Sequence, residues 1–232
     1  LLSIGAILQH LAYAGPKKPV EQVLSLGSGP GLYETFIGAM MLDPGFGARM
    51  KIYAVDYSPK MSEIHRRILD ISRVNYIGAP QKIGNVNPVV GDMTDLSGWE
   101  DRSVDQVIIN NSLQWVPNWQ KVLDEVQRVI NPNSLRTIHL IMNNHPMMPK
   151  DVSTGQIIGM IGDVSQETMM DELEKRNFQI VNARVIDGGP GIGQAGGSVS
   201  RFYMKGIYDE SRSFRSWRDR LMGVDYTGVA FN

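Results

Sequence analysis

The sequence predicts an α/β fold, a largely parallel sheet wrapped by helices on both faces. Three observations carry this reading. Short apolar runs alternate with stretches of helical periodicity through most of the 232 residues. The first of these runs passes straight into Gly27-Ser28-Gly29-Pro30-Gly31, a turn of the kind that leads from a strand into a helix. The last two strand candidates are separated only by a glycine-rich loop, Gly188 to Gly197. With no crossover helix between them, they should pair antiparallel at or near a sheet edge.

The elements follow in order. The opening LLSIGAILQHLAYAG places Ile4, Leu8 and Leu11 at helical spacing and reads as an amphipathic surface helix over residues 1–14. Gly15-Pro16 and Pro19 break it, and Val20 to Leu26 is the first strand. Leu32 to Leu42 is a helix with Phe36, Ile37, Met40 and Met41 on its expected apolar side, stopped by Asp43-Pro44-Gly45. Lys51 to Val55 is a second strand, and Ser58-Pro59 opens a helix with an N-cap and a proline at its first position. A Gly/Pro-rich loop precedes a short third strand, Asn87 to Val90, and Val104 to Ile109 is a fourth. In the helix Asn118 to Ile130, Val122, Leu123, Val126, Val129 and Ile130 form one stripe. Arg136 to Met142 is a fifth strand, and Gln166 to Arg176 is a helix capped by Ser165. Gln179 to Ile186 and Arg201 to Tyr208 complete the set.

Composition removes whole classes of function. Lys plus Arg total 23 against 24 for Asp plus Glu, a net charge of −1. That balance argues against general nucleic-acid binding, which needs a clustered positive surface. Cys is absent, so disulfides, thiolate metal sites, Fe–S clusters and cysteine nucleophiles are all excluded. This usage fits a reducing cytoplasm. Four scattered His with no convergent carboxylates argue against a metal site. No apolar run approaches the roughly 18 residues of a membrane span, so no membrane partner is expected.

In doubly wound sheets, ligands bind beyond the carboxyl ends of the strands. The residues that follow each strand are therefore the candidates. The glycine turn lets backbone approach a ligand closely, and the helix after it offers free N–H groups. Its spacing is GxGxG rather than the GxGxxG of a dinucleotide fold, and Pro30 removes one N–H. Asp56, at the end of strand two, either accepts the hydroxyls of a ribose or begins the turn into the next helix. The order of glycine turn and carboxylate favours the ribose. Asp92-Met93, after strand three, either receives an adenine amine beside a flanking thioether or forms an Asx turn.

As a set, Gly27 to Gly31, Asp56 and Asp92-Met93 resemble the cofactor motifs of class I S-adenosylmethionine-dependent methyltransferases. The run Asn110-Asn111-Ser112-Leu113-Gln114-Trp115-Val116-Pro117-Asn118 is similar to the fourth-strand motif of small-molecule members such as trans-aconitate and malonyl-carrier-protein O-methyltransferases. The resemblance extends over residues 20–208. It implies a Rossmann-like, seven-stranded sheet in the order 3-2-1-4-5-7-6, with the seventh and last strand antiparallel, and S-adenosylmethionine as cofactor with S-adenosylhomocysteine as product. It further implies that Gly27, Ser28, Gly29 and Gly31 line the methionine and ribose portion and that Asp56 holds the ribose with Tyr57 against the adenine. Asp92 would take the adenine amine, Met93 would flank the ring, and the Asn110 carbonyl would face the methionine ammonium. One position departs from the pattern: where members carry an acid two residues before the first glycine, this chain has Ser25.

The implied chemistry is in-line displacement at a sulfonium methyl, driven mainly by alignment and exclusion of water. On the acceptor side, Gln114 and Trp115 begin the loop after strand four. His145 follows strand five as a base, an orienter or a solvated loop residue, and Lys150 could hold an anion. Asn143 to Ser165 carries Met147, Met148, Ile157, Ile158, Met160 and Ile161, which suit an apolar acceptor wall. Residues 1–210 are expected to form the catalytic domain, with helix 1–14 as its cap. Residues 211–232 form a helical extension whose Arg212, Arg215, Arg218 and Arg220 are the one basic stretch and the one route to RNA. The expected reaction is methyl transfer to a small molecule at oxygen. The alternatives are nitrogen or carbon methylation, an RNA or protein acceptor, and a cofactor-binding domain that serves an assembly without catalysis.

Overall fold

The computed structural model describes residues 22–41, 50–76, 79–143, 166–190 and 198–210. The chain runs β1 (Gln22–Leu26), α1 (Leu32–Met40), β2 (Lys51–Asp56), α2 (Pro59–Ile71), β3 (Arg73–Tyr76), β4 (Ala79–Lys82) and β5 (Val86–Val90). It continues with β6 (Gln106–Asn110), a 3₁₀ turn (Leu113–Trp115), α3 (Trp119–Val129), β7 (Thr137–Asn143), α4 (Gln166–Lys175), β8 (Phe178–Pro190) and β9 (Ser198–Tyr208). Seven strands form one sheet in the order β5-β2-β1-β6-β7-β9-β8, which is the predicted 3-2-1-4-5-7-6. The first five are mutually parallel, and β9 pairs antiparallel with both β7 and β8.

Strand side chains alternate between two covered faces. Leu24, Leu26, Val107, Ile109 and Leu140 pack on one face with α3 and α4, and Val23, Ile52, Ala54, Ile108 and Ile141 on the other with Ile37 of α1. The α3 stripe is as expected: Val122, Leu123, Val126, Val129 and Ile130 are all fully buried. Each contributes about 1.5–3 kcal/mol relative to exposure. Arg128, on the same helix, donates to the Leu96 and Trp99 carbonyls at 2.8 and 3.1 Å and pairs with Asp101 and Glu125. Glu125 in turn accepts from Leu96 N at 2.7 Å. Helix α3 thereby fixes the loop that follows β5.

Two elements differ from the sequence reading. The stretch read as a loop before β5 holds a two-stranded antiparallel hairpin, β3–β4, with Asn75 opposite Pro80. A proline is tolerated in so short a ribbon because its missing N–H can face outward. Helix α1 also turns a different side inward. Ile37 and Met41 are buried as expected, but Phe36 and Met40 are exposed, and Glu34, Thr35 and Gly38 take the inner positions. The first turn of α1 points polar groups at β1 and α2, and Leu32, Phe36 and Met40 share the outward side. His139 is buried within β7, 2.9 Å from the Tyr203 hydroxyl. Among the described residues no helix is long and apolar enough to cross a membrane.

Candidate active site

Chain connections leave β1 toward β2 and leave β6 toward β7, so the order of the sheet reverses between β1 and β6. Such a switch point opens a cleft at the carboxyl ends of the two strands. The glycine turn and the Asn110–Trp115 loop lie on its two sides. They are tied together by the buried Ser112 hydroxyl, which donates to Leu26 O at 2.8 Å.

The glycine turn is held from below by β2. Gly27 N and Ser28 N donate to Val55 O at 2.8 and 3.0 Å, and Gly31 N closes the turn onto Ser28 O at 3.1 Å. Gly29 N donates to Asp56 Oδ2 at 2.7 Å. Two of the glycines are required for different reasons. Gly31 has φ +70°, and a Cβ there would lie 2.0 Å from His65 Nδ1, so helix α2 packs directly on its backbone. Gly29 has φ +56°, yet a Cβ there would meet nothing within 4 Å. The turn is packed tightly on one side and open on the other.

Asp56 begins the turn into α2, one of its two sequence readings, and in addition braces the glycine turn. Its Oδ1 accepts from Ser58 N at 2.9 Å, which begins the turn into α2, and its Oδ2 braces Gly29. A carboxylate oxygen has a second acceptor direction, so each can still receive a hydroxyl. Tyr57 beside it is 78% exposed and free to lie on a ligand. Asp92 forms the Asx turn, with Oδ1 accepting from Thr94 N and Thr94 Oγ1, both at 2.8 Å. The Met93 methyl reaches the glycine turn, since a Cβ on Gly27 would lie 2.8 Å from it.

Across the cleft, Asn110 closes β6, and its Oδ1 accepts from Asn111 Nδ2 at 3.1 Å. The Asn111 carbonyl accepts from Gln114 Nε2 at 3.1 Å and from Trp115 Nε1 at 3.2 Å. Trp115 is thus anchored by its indole N–H while 43% of its surface stays exposed. Ser28 Oγ, Asn111 Oδ1 and Gln114 Oε1 are buried without a hydrogen-bond partner. Buried polar atoms need a partner, and a ligand between these two loops would supply one. His145, Lys150, the helix over residues 1–14, the apolar segment after β7 and the basic tail lie outside the described residues.

The structure adds a buried polar layer that sequence reasoning missed. The Ser25 hydroxyl lies 2.6 Å from Glu34 Oε1, and Glu34 is 1% exposed. Burial raises the Glu34 carboxyl from 4.5 to about 7, against the lowering effect of the Ser25 bond and with a further push from Asp56. Next to it, Thr35 Oγ1 and His65 Nε2 are 3.2 Å apart. Burial, with some help from Arg66, lowers His65 from 6.5 to about 4. Ser25 was legible as a departure from the family pattern. Glu34 and His65 carried no signal, because both sit on helices with ordinary polar neighbours. Among the described residues, no group of three or more acidic or histidine side chains is placed to hold a metal ion.

Comparisons with known proteins agree with this geometry. A methyltransferase-domain family model matches residues 24–137. An arsenite methyltransferase of Halobacterium salinarum is 29% identical over 159 residues, covering 66% of this chain and 37% of that protein. The chain therefore spans well under half the length of that relative. Among solved structures, an S-adenosylmethionine-dependent methyltransferase from Methanosarcina mazei superposes with TM-score 0.65 at 14% identity, covering 83% of this chain and 95% of the other. An arsenic(III) S-adenosylmethionine methyltransferase from Chlamydomonas reinhardtii gives TM-score 0.57 at 20% identity, covering 92% and 76%. At these identities the two structures bear on the fold alone. The family model spans β1 to the start of β7, and the strand order and motif positions accord with it, which together support a class I S-adenosylmethionine-dependent methyltransferase.

Proposed function

We propose that this chain transfers a methyl group from S-adenosylmethionine to a small-molecule acceptor at oxygen. The cofactor half of the reading is supported by one observation above others. Asp56 braces the glycine turn at Gly29, the one glycine of the turn whose outer side is open. The residues fit the group: remaining lone pairs on Asp56 suit the ribose, Tyr57 and Met93 suit the adenine faces, and Asp92 suits the adenine amine. The buried, unpartnered oxygens of Ser28, Asn111 and Gln114 suit the polar amino-acid end. When bound, the cofactor supplies an electrophilic methyl on a sulfonium. The chain's part is to align the two reactants and to exclude water, which accounts for most of the rate in such displacements.

Trp115 stands at the mouth of the cleft, where its exposed face can cover an acceptor. Both His residues within the described residues, His65 and His139, are fully buried, so neither can serve as a base at the cleft. His145 and His10 are then the histidines left to hold or deprotonate an acceptor, with Lys150 to pair an anionic group. An acceptor already ionised as a carboxylate needs no base at all. The likeness to an arsenite methyltransferase supplies a second reading, a non-oxygen acceptor. A trivalent arsenic centre is soft and prefers thiolate ligands, whereas this sequence has no Cys. That counts against arsenite as the acceptor.

The test is transfer of labelled methyl from S-adenosylmethionine to small carboxylic acids, phenols, arsenite, RNA and protein. Labelled esters or ethers are expected, and Lys150→Ala should raise KM more than it lowers kcat. Label found only on arsenite, RNA or protein would overturn the acceptor assignment. Cofactor binding with no transfer to any acceptor would favour a non-catalytic domain.

A further inference from the structure

Glu34 poses a problem that the cofactor reading does not by itself resolve. Its carboxyl is buried between β1 and the first turn of α1, where Oε1 takes the Ser25 bond and Oε2 has no partner. Glu34 lies at the third position of α1, where a Glu side chain commonly reaches back to a capping residue. Here the N-cap is Gly31, which has no side chain, and no side-chain cap bond forms. Burying a carboxyl beside another carboxylate is costly unless a positive group joins it. Of the charged groups on the elements packed around it, Asp56 of β2 faces it and repels. Strand β1 offers only the Ser25 hydroxyl, and His65 of α2 is held neutral against Thr35. No cation on these elements answers it, so the carboxyl holds its proton up to about pH 7 unless a ligand brings a positive charge.

We propose that Glu34 is a positioning residue for the cofactor's ammonium group, acting through Ser25 to bring a negative charge to the end of β1. This rests on the cofactor reading above and names the residue that tunes it. Ser25, itself buried, donates its one proton to Glu34 and so keeps its hydroxyl lone pairs as acceptors. Ionised Glu34 strengthens that acceptor, as charge does along a hydrogen-bonded chain. Binding of the ammonium then drives the Glu34 proton out to solvent wherever it is still held. Since the carboxyl loses its proton near pH 7, affinity must rise with pH through the neutral range. The ionised fraction goes from about one tenth at pH 6 to about nine tenths at pH 8, so affinity rises about tenfold.

The experiment is calorimetric titration of the full chain and its Glu34→Gln variant from pH 6 to pH 8. The ligands are S-adenosylhomocysteine, which carries the ammonium, and 5′-methylthioadenosine, which lacks it. Dividing wild-type by variant affinity cancels the titration of the ligand itself. For S-adenosylhomocysteine that ratio is expected to climb about tenfold over this range. For methylthioadenosine it is expected to stay flat. Gln keeps the shape and the Ser25 contact, and the unfolding temperature of each free protein verifies that the variant is folded. Should the variant unfold, Ser25→Ala reports the same relay, with the same flattened pH profile expected. Parallel pH profiles of wild type and variant, or an equal slope with methylthioadenosine, would overturn the proposal and leave the cofactor reading intact. Failure of both proteins to bind S-adenosylhomocysteine at any pH would overturn that reading too.

Discussion

The two glycines that flank Pro30 should fail in opposite ways when given a methyl group. Ala at either position must adopt positive φ, at a cost of about 1–2 kcal/mol. At Gly29 the new Cβ meets nothing within 4 Å, so strain is the whole cost to the free protein. At Gly31 the Cβ would fall 2.0 Å from the His65 ring, which is fully buried and bonded to Thr35. Overpacking there adds about 1–3 kcal/mol, for a total of about 2–5 kcal/mol. Binding should rank the other way. The open side of Gly29 is where the ligand would lie, so Gly29→Ala should weaken S-adenosylmethionine at least tenfold, about 1.4 kcal/mol. Urea unfolding measures the first quantity and calorimetric titration the second. A Gly29→Ala protein that binds as tightly as wild type would refute the placement of the ligand. A Gly31→Ala protein no less stable than Gly29→Ala would refute the packing argument.

Asp56→Ala should cost the free protein about 1.5–3 kcal/mol, because the Gly29 and Ser58 N–H groups lose a charged acceptor. The variant should also bind the cofactor more weakly, and loss of binding with unchanged urea stability would show that Asp56 does not brace the turn. Two buried groups give stability a pH dependence of opposite sign. The depressed His65 contributes stability that is full above pH 6.5 and lost as pH falls toward 4, up to about 3 kcal/mol. The raised Glu34 contributes stability present below pH 4.5 and lost as pH rises through about 7. His65→Gln should therefore flatten the acid limb, and Glu34→Gln should gain about 1–3 kcal/mol on the wild-type protein between pH 5 and pH 8, both read by urea unfolding. Arg128→Ala should cost about 1–3 kcal/mol and weaken cofactor binding, since that side chain holds the loop beyond Asp92-Met93 to α3.

The alternation of strands and helices was legible because inner strands such as β6 are apolar runs and α3 carries a stripe, whereas the strand order followed only from the resemblance to a known family. The cleft was legible because glycines and carboxylates after strands have few other reasons to recur in that order. The β3–β4 ribbon was hidden by Pro80 and by polar sequence that periodicity reads as loop. Helix α1 misled because its largest apolar side, Leu32, Phe36 and Met40, faces outward, while the close approach of α2 at Gly31 decides which side turns in. Glu34 and His65 were invisible for a related reason. A titratable side chain announces its burial only through tertiary packing, and the partners here, Ser25 and Thr35, lie on other elements or carry no charge. Asp92 illustrates a reading left open by sequence: the Asx turn is made with one oxygen, and a ligand bond with the other is compatible with it.

The most direct test of the account is a thermal and calorimetric titration of the chain with S-adenosylmethionine and, side by side, with NAD. The glycine turn spends Gly31 N on Ser28 O and Gly29 N on Asp56, and Pro30 has no N–H. Little is left to cradle a pyrophosphate, while Asp56 still suits a ribose. S-adenosylmethionine should bind and raise the unfolding temperature, with Asp56→Ala weakening the effect, and NAD should do neither. Equal stabilisation by NAD, or no response to S-adenosylmethionine, would contradict the account.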